Sequence, residues 1–187
     1  MSADTPTTEG RIAGLFGLRG EQWMRHANPW SVWVRFAVVP LFVLAAWSRV
    51  WIGWWAVLAG AAALVFTVVE PLLFPPPRST RSWASKGVFG ERILSEGSAR
   101  DIPGQFTASR VPVVTTVWQT IGLALLVVGV VRLDLLLTLA GLFLCQCAKA
   151  WYIDRAVLLF EDVKTRDPEV AAWEYPVPSA PSPRSPS

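Results

Sequence analysis

The sequence predicts an all-α protein: a four-helix transmembrane bundle of two helical hairpins, with amphipathic flanking helices. Three observations predict it. Four apolar stretches, at about 29–48, 51–74, 112–131 and 135–153, each approach the ~20 residues that cross a hydrocarbon core of about 30 Å. The composition, 52% hydrophobic and 17% charged, is too apolar for an ordinary soluble domain. Of 17 Lys and Arg residues, only Arg49 and Arg132 fall at the hairpin turns, and the other 15 lie on the opposite side of the implied topology. Basic residues accumulate on the cytoplasmic side of membrane proteins, so a cell-membrane location with both termini cytoplasmic is expected.

Each element follows from local chemistry. Residues 1–28 form a cytoplasmic arm, in which Ile12, Leu15, Phe16 and Trp23 recur at helical spacing, as an interfacial helix requires. Gly14, Gly17 and Gly20 weaken that helix. No cleavable signal is visible, so the first span is expected to act as a retained anchor. Asn28-Pro29 opens the first span: Asn28 caps unpaired backbone donors, and Pro29 suits the first helical turn. Pro40 should kink it. After a tight turn at Ser48-Arg49-Val50, the second span runs to Pro75-Pro76-Pro77. The cytoplasmic loop, 75–111, contains a segment near Trp83–Leu94 that reads as a short interfacial helix, with Trp83, Val88, Ile93 and Leu94 toward lipid. Ser95-Glu96-Gly97-Ser98 reads as a turn. Pro112 opens the third span, and Arg132-Leu133-Asp134 is the second hairpin turn, with Asp134 as cap. The fourth span extends as an amphipathic helix to Val163, closing a membrane domain at 29–163. A Pro- and Ser-rich tail, 164–187, is expected to be disordered.

Two sets of residues stand out within the spans. Arg35, Glu70, Gln119, Gln146 and Lys149 lie within roughly 6–11 Å of the inner edge at about 1.5 Å per residue. They make a polar layer where ionisable groups are expensive. A buried carboxylate at Glu70 needs a cation or a proton, and Arg35 and Lys149 are the candidate partners. Gly53, Ala56, Gly60, Ala63 and Thr67 recur every three or four residues, so the second span carries a small-residue stripe that suits close helix packing. Snorkelling of Arg35 and Lys149 to headgroups is the plainer reading of the basic members.

No catalytic residue, cofactor or metal site is read from the sequence. Cys145 and Cys147, two apart on a helix, point to different sides and behave as small packing residues. His26, the one histidine, has no nucleophile or metal set beside it. Lys86-Gly87-Val88-Phe89-Gly90-Glu91 lacks the pattern of a phosphate-binding loop. The formal charge of +3 flanks apolar spans, which suits anionic headgroups at the cytoplasmic face rather than nucleic acid.

His26-Ala27-Asn28-Pro29-Trp30-Ser31 with Arg35, Trp47–Trp55, Leu73-Phe74-Pro75-Pro76-Pro77, Gly90-Glu91-Arg92, Lys149-Ala150-Trp151 and Asp154-Arg155 through Glu161-Asp162 occur together. Over roughly residues 20–163 the chain thereby resembles an uncharacterised prokaryotic integral membrane protein family (domain of unknown function 6653). The resemblance implies one folded unit and no particular activity. The family pattern carries Asn where this chain has Glu70, so any role of Glu70 would be peculiar to this chain.

The reading is an integral membrane protein of unknown function, foremost a non-enzymatic structural or partner-binding subunit. The bilayer, and a membrane-protein partner or second copy, are its expected contacts. A small transporter or channel component is the alternative, and a membrane-associated lipid-modifying enzyme a weaker one.

Overall fold

The computed structural model describes residues 21–96 and 101–176. The arm residues Ile12, Leu15 and Phe16, the Gly97-Ser98 part of the expected turn, and residues 177–187 lie outside them. All regular elements among the described residues are helices: α1 (Glu21–His26), α2 (Pro29–Trp47), α3 (Ala56–Leu73), α4 (Trp83–Glu96), α5 (Val111–Arg132), α6 (Leu135–Val163) and α7 (Pro168–Ala171), with single turns at Arg49–Ile52, Gly53–Trp55 and Gly104–Thr107.

The helix ends obey the residues that cap them. Asn28 Oδ1 accepts from Trp30 N at 3.0 Å, and Asp134 Oδ1 from Leu137 N at 3.0 Å. Helix α5 ends on Leu133 in the left-handed region (φ 57°), with Asp134 N donating to Gly129 O at 2.8 Å, a glycine-type terminus built on a leucine. Gly53 makes the first turn at φ 56° and ψ −129°, a conformation that only glycine adopts freely.

Three helical stretches are long and apolar enough to cross a membrane: Pro29–Leu73, Gly104–Arg132 and Leu135–Val163. The first is 45 residues long and is folded back at residues 48–55. Its two halves, α2 and α3, run antiparallel, because Asn28 Nδ2 at the start of one donates to Pro75 O just past the end of the other at 2.9 Å. Helices α5 and α6 form a second antiparallel pair, and α2 touches both. Helix α3 packs mainly along α2 and lies outermost. The arrangement is therefore two pairs joined through α2, not the evenly packed four-helix bundle that the sequence suggests.

The second pair is the tight one. A Cβ on Gly129 would lie 2.4 Å from Thr138 N, and one on Gly141 would lie 2.4 Å from Leu126 N. Gly122 meets Cys145 in the same way. These glycines let the backbones approach to where any side chain would clash.

The buried apolar core sits at one end. Trp23 of α1, Val88, Phe89 and Ile93 of α4, Leu159, Phe160 and Val163 of α6 and Val170 of α7 are all buried together. Thus α4 is not a helix lying in lipid. Its residues Val88 and Ile93 face this core, while Trp83, which donates to Asp154 Oδ1 at 3.2 Å, and Leu94 stay partly exposed at its edge. Gly87 and Gly90, which weaken the helix by propensity, are the contact itself: a Cβ on Gly90 would lie 1.9 Å from Ala156 O. The described part of the arm, α1, likewise enters the core through Trp23 instead of lying on a surface.

The segment after 163 is ordered to 176, against the expected disorder from 164. Helix α7 is capped by Asp167, and Tyr175 is pinned to residues 77–80. Thr80 Oγ1 donates to Trp173 O at 2.8 Å and accepts from Tyr175 N at 2.8 Å, while the Tyr175 hydroxyl donates to Pro77 O at 2.7 Å.

Candidate functional site: the polar layer beneath the helical cap

The Asn28–Pro75 hydrogen bond fixes the register of α2 against α3. Counting inward at about 1.5 Å per residue sets Ser31 and Arg35 level with residues 72 and 68, so Glu70 falls between them. Arg35 Nη2 donates to His26 O at 2.8 Å and its Nε to Ser31 O at 3.3 Å, folding the guanidinium back over the start of its own helix. From α6, Lys149 Nζ donates to Arg35 O at 3.1 Å and lies 4.6 Å from the Phe36 ring centroid. Gln146 Nε2 donates to Phe36 O at 2.6 Å.

The last bond has a cause in the sequence. In a helix Phe36 O would accept from the N–H of residue 40, and residue 40 is proline, which has none. The proline leaves one carbonyl of α2 unpaired, and Gln146 supplies the missing donor from the neighbouring helix. Lys149 reaches the adjoining carbonyl. Two residues of the expected layer thus serve as a clamp between α6 and the carbonyls of α2 that precede Pro40.

Glu70 is the exception. It is 1% exposed, and neither carboxylate oxygen has a hydrogen-bond partner among the described residues. Ser31 Oγ, fully buried one helical step away from the Arg35 anchor, is also unpaired. Arg35 and Lys149 lie close enough to act on Glu70 electrostatically but bond elsewhere. Arg35, Glu91 and Lys149 line a small pocket of about 30 Å³ together with Val32, Val88 and Ile153. Glu91, from α4, is the member of this charge cluster that reading the spans missed. Its spacing on the buried face of α4, three residues after Val88, was the available signal.

Gln119 does not join the layer. Its residue is exposed on α5, and its carbonyl receives Cys145 Sγ at 3.7 Å. The small-residue stripe is not a tight seam within the chain. A Cβ on Gly53 or Gly60 would meet nothing within 4 Å, and Gly53, Ala56 and Gly60 border an open cleft facing α2, with Ala63 and Thr67 half-buried beyond. Thr67 Oγ1 donates to Ala63 O at 2.8 Å. The seam that does close, Thr138, Gly141, Cys145 and Ala148 of α6 against Gly122 and Gly129 of α5, has the same three- and four-residue spacing.

His26 is a poor base. Burial first, and the Arg35 charge second, push its pKa down to about 3, and its ring packs edge-on to Trp23 at 6.5 Å. Among the described residues no group of three or more His, Cys, Asp or Glu could hold a metal ion.

A second charged cluster ties the cap. Lys86 reaches Glu161 at 2.6 Å and Glu174 at 3.2 Å, and Lys164 reaches Glu161 at 2.5 Å and Glu174 at 2.6 Å. Arg92 lies 3.9 Å over the Trp173 ring.

Long apolar helices whose sides stay uncovered, with the buried core confined to one end, are consistent with a membrane protein. Within Pro29–Leu73 only 6% of the most apolar window is buried. The chain belongs to a family of unknown function (DUF6653), whose model matches residues 7–178. The match extends beyond the 20–163 expected from sequence and takes in the pinned C-terminal segment. No curated protein and no solved structure matches the chain.

Proposed function

We propose that the chain crosses the cell membrane four times, through α2, α3, α5 and the first part of α6, with both termini and the 75–111 segment in the cytoplasm. Its work is non-enzymatic: it is a structural or partner-binding subunit. Two features support the topology. The hairpin turns lie together at one end, where Arg49 Nη2 donates to Val130 O and, at 3.1 Å, to Val131 O. The basic cap gathers at the other, as the positive-inside bias requires.

The observation that carries the structural reading is the clamp on α2. Gln146 and Lys149 of α6 donate to backbone carbonyls of α2, and Arg35 donates to His26 O and Ser31 O, which supports a layer that holds helices together. Helix α3 leaves Val65, Val68 and Leu72 62%, 68% and 66% exposed, a face suited to a membrane-protein neighbour or a second copy. Photocrosslinkers at these three positions in native membranes should trap a protein. A strictly monomeric, uncrosslinked chain would remove the partner-binding reading.

One observation favours transport as a second reading: the buried carboxyl of Glu70, without a hydrogen-bond partner among the described residues, beside Arg35 and Lys149. Proteoliposomes carrying the wild-type chain would then pass protons or cations, and Glu70→Gln would abolish the flux. Equal flux in both, or none in either, rejects it. The lipid-modifying alternative has no comparable observation behind it.

A further inference from the structure

We propose that the open cleft between α2 and α3 binds a glycerophospholipid with an anionic headgroup, taken from the leaflet at the hairpin tips. This rests on the four-span reading, since such a site needs a bilayer around it. The two helices are joined at the cap end by Asn28 on Pro75, and toward the turn an open cleft lies between them. There they enclose a cleft of about 520 Å³ walled by Phe42, Ala45, Ala56, Val57 and Gly60. It runs from Gly53 at the turn to Gly60, about 10 Å along the helix axis, the direction in which an acyl chain descends. Small residues face it from both sides, yet among the described residues no helix closes it.

The polar end of the cleft selects the occupant. Arg49 borders it at the turn, its guanidinium fixed by Nη2 on the Val130 and Val131 carbonyls of α5. Only that nitrogen is engaged among the described residues, so the guanidinium keeps further N–H groups for a ligand. Arg132 follows directly on Val131 and adds a second positive charge to the same end. Trp51, Trp54 and Trp55, 74%, 90% and 69% exposed, set this end at headgroup depth. An apolar slot that ends at an anchored guanidinium within a tryptophan belt fits an acyl chain that ends at a phosphodiester.

The test is native mass spectrometry of the detergent-purified full chain with added dioleoyl phosphatidylglycerol or dioleoyl phosphatidylcholine. Wild type should retain phosphatidylglycerol about tenfold better, the scale of one charge-assisted contact. Arg49→Gln should erase that preference. Gly60→Leu, placed where an added Cβ has no neighbour within 4 Å, should extend into the cleft and lose both lipids while the lipid-free melting temperature holds. Equal retention of the two lipids, or full retention by Gly60→Leu, overturns the proposal, as does a second copy or another protein crosslinked within the cleft. Alkaline extraction of native membranes separates the two levels. A chain that washes off refutes the spans, whereas an integral chain without lipid preference refutes only the lipid site.

Discussion

If Gln146 is present because Pro40 is, the two positions must be energetically coupled. Gln146→Leu keeps the volume but removes the side-chain donor to Phe36 O, 2.6 Å away. An unpaired buried carbonyl costs about 1–3 kcal/mol, though hydrogen bonds between membrane helices average nearer about 0.6 kcal/mol. The carbonyl has no donor within its own helix, so a loss of about 1–2 kcal/mol is expected. Pro40→Ala restores a backbone N–H four residues after Phe36. In that background Phe36 O is already paired, and Gln146→Leu should cost at most about 0.5 kcal/mol. The double-mutant cycle should therefore show a coupling of about 1 kcal/mol, above the roughly 0.3–0.5 kcal/mol within which unconnected sites add. Reversible unfolding in mixed detergent micelles, followed by tryptophan fluorescence, measures all four corners. Additive effects would refute the clamp and leave the Gln146 contact incidental.

Three further outcomes are expected. Gly90→Ala should destabilise the cap by about 2–3 kcal/mol, because a Cβ 1.9 Å from Ala156 O must push two backbones apart; Gly60→Ala, which meets nothing, should be neutral or gain up to about 1 kcal/mol from helix propensity. Melting curves decide, at about 2–4 °C per kcal/mol, and equal midpoints for the two variants would refute the close approach. Thr80→Val removes a donor to Trp173 O and an acceptor for Tyr175 N, so the segment after 172 should become cleavable in limited proteolysis while the rest of the cap resists; unchanged protection would mean the pinning is immaterial. The Lys86–Glu161–Lys164–Glu174 cluster predicts a stability plateau with two edges. Hydrogen bonds from Lys164 and Lys86 hold Glu174 below the ordinary glutamate range, and do the same for Glu161 against the opposing effect of burial. Their support is complete above the unfolded value near 4.5 and is lost as pH falls through the lowered folded values. The pKa of Lys164 is raised, its two carboxylate partners outweighing burial, so its support is complete below 10.5 and is lost as pH rises through the raised folded value. The lowered pKa of His26 adds its own loss of stability as pH falls below 6.5. The cluster is therefore read from the difference in thermal midpoint between wild type and Glu174→Gln, which should be flat at neutral pH; a slope in that difference would count against the cluster.

The caps were the most legible features, since Asn28 and Asp134 act on donors two or three residues away. The cap domain was not legible. Gly87 and Gly90 argue against a helix by propensity, and their value exists only because Ala156 and Ile153, over sixty residues on, lie against them. The two small-residue stripes are equivalent in spacing, yet one closes against a neighbour and the other borders a cleft. Periodicity places residues on a face without saying which face finds a partner.

The sequence alone determined the long apolar helices and the turns that end them, because hydrophobic period, proline, glycine and capping residues act within a few residues of themselves. Tertiary structure alone decided that Gln146 answers Pro40, that Glu91 joins Arg35 and Lys149, and that residues 173–175 bind 77–80. Those partners are far apart along the chain, and a hydrogen-bonding group carries no mark in sequence of the distant atom that will satisfy it.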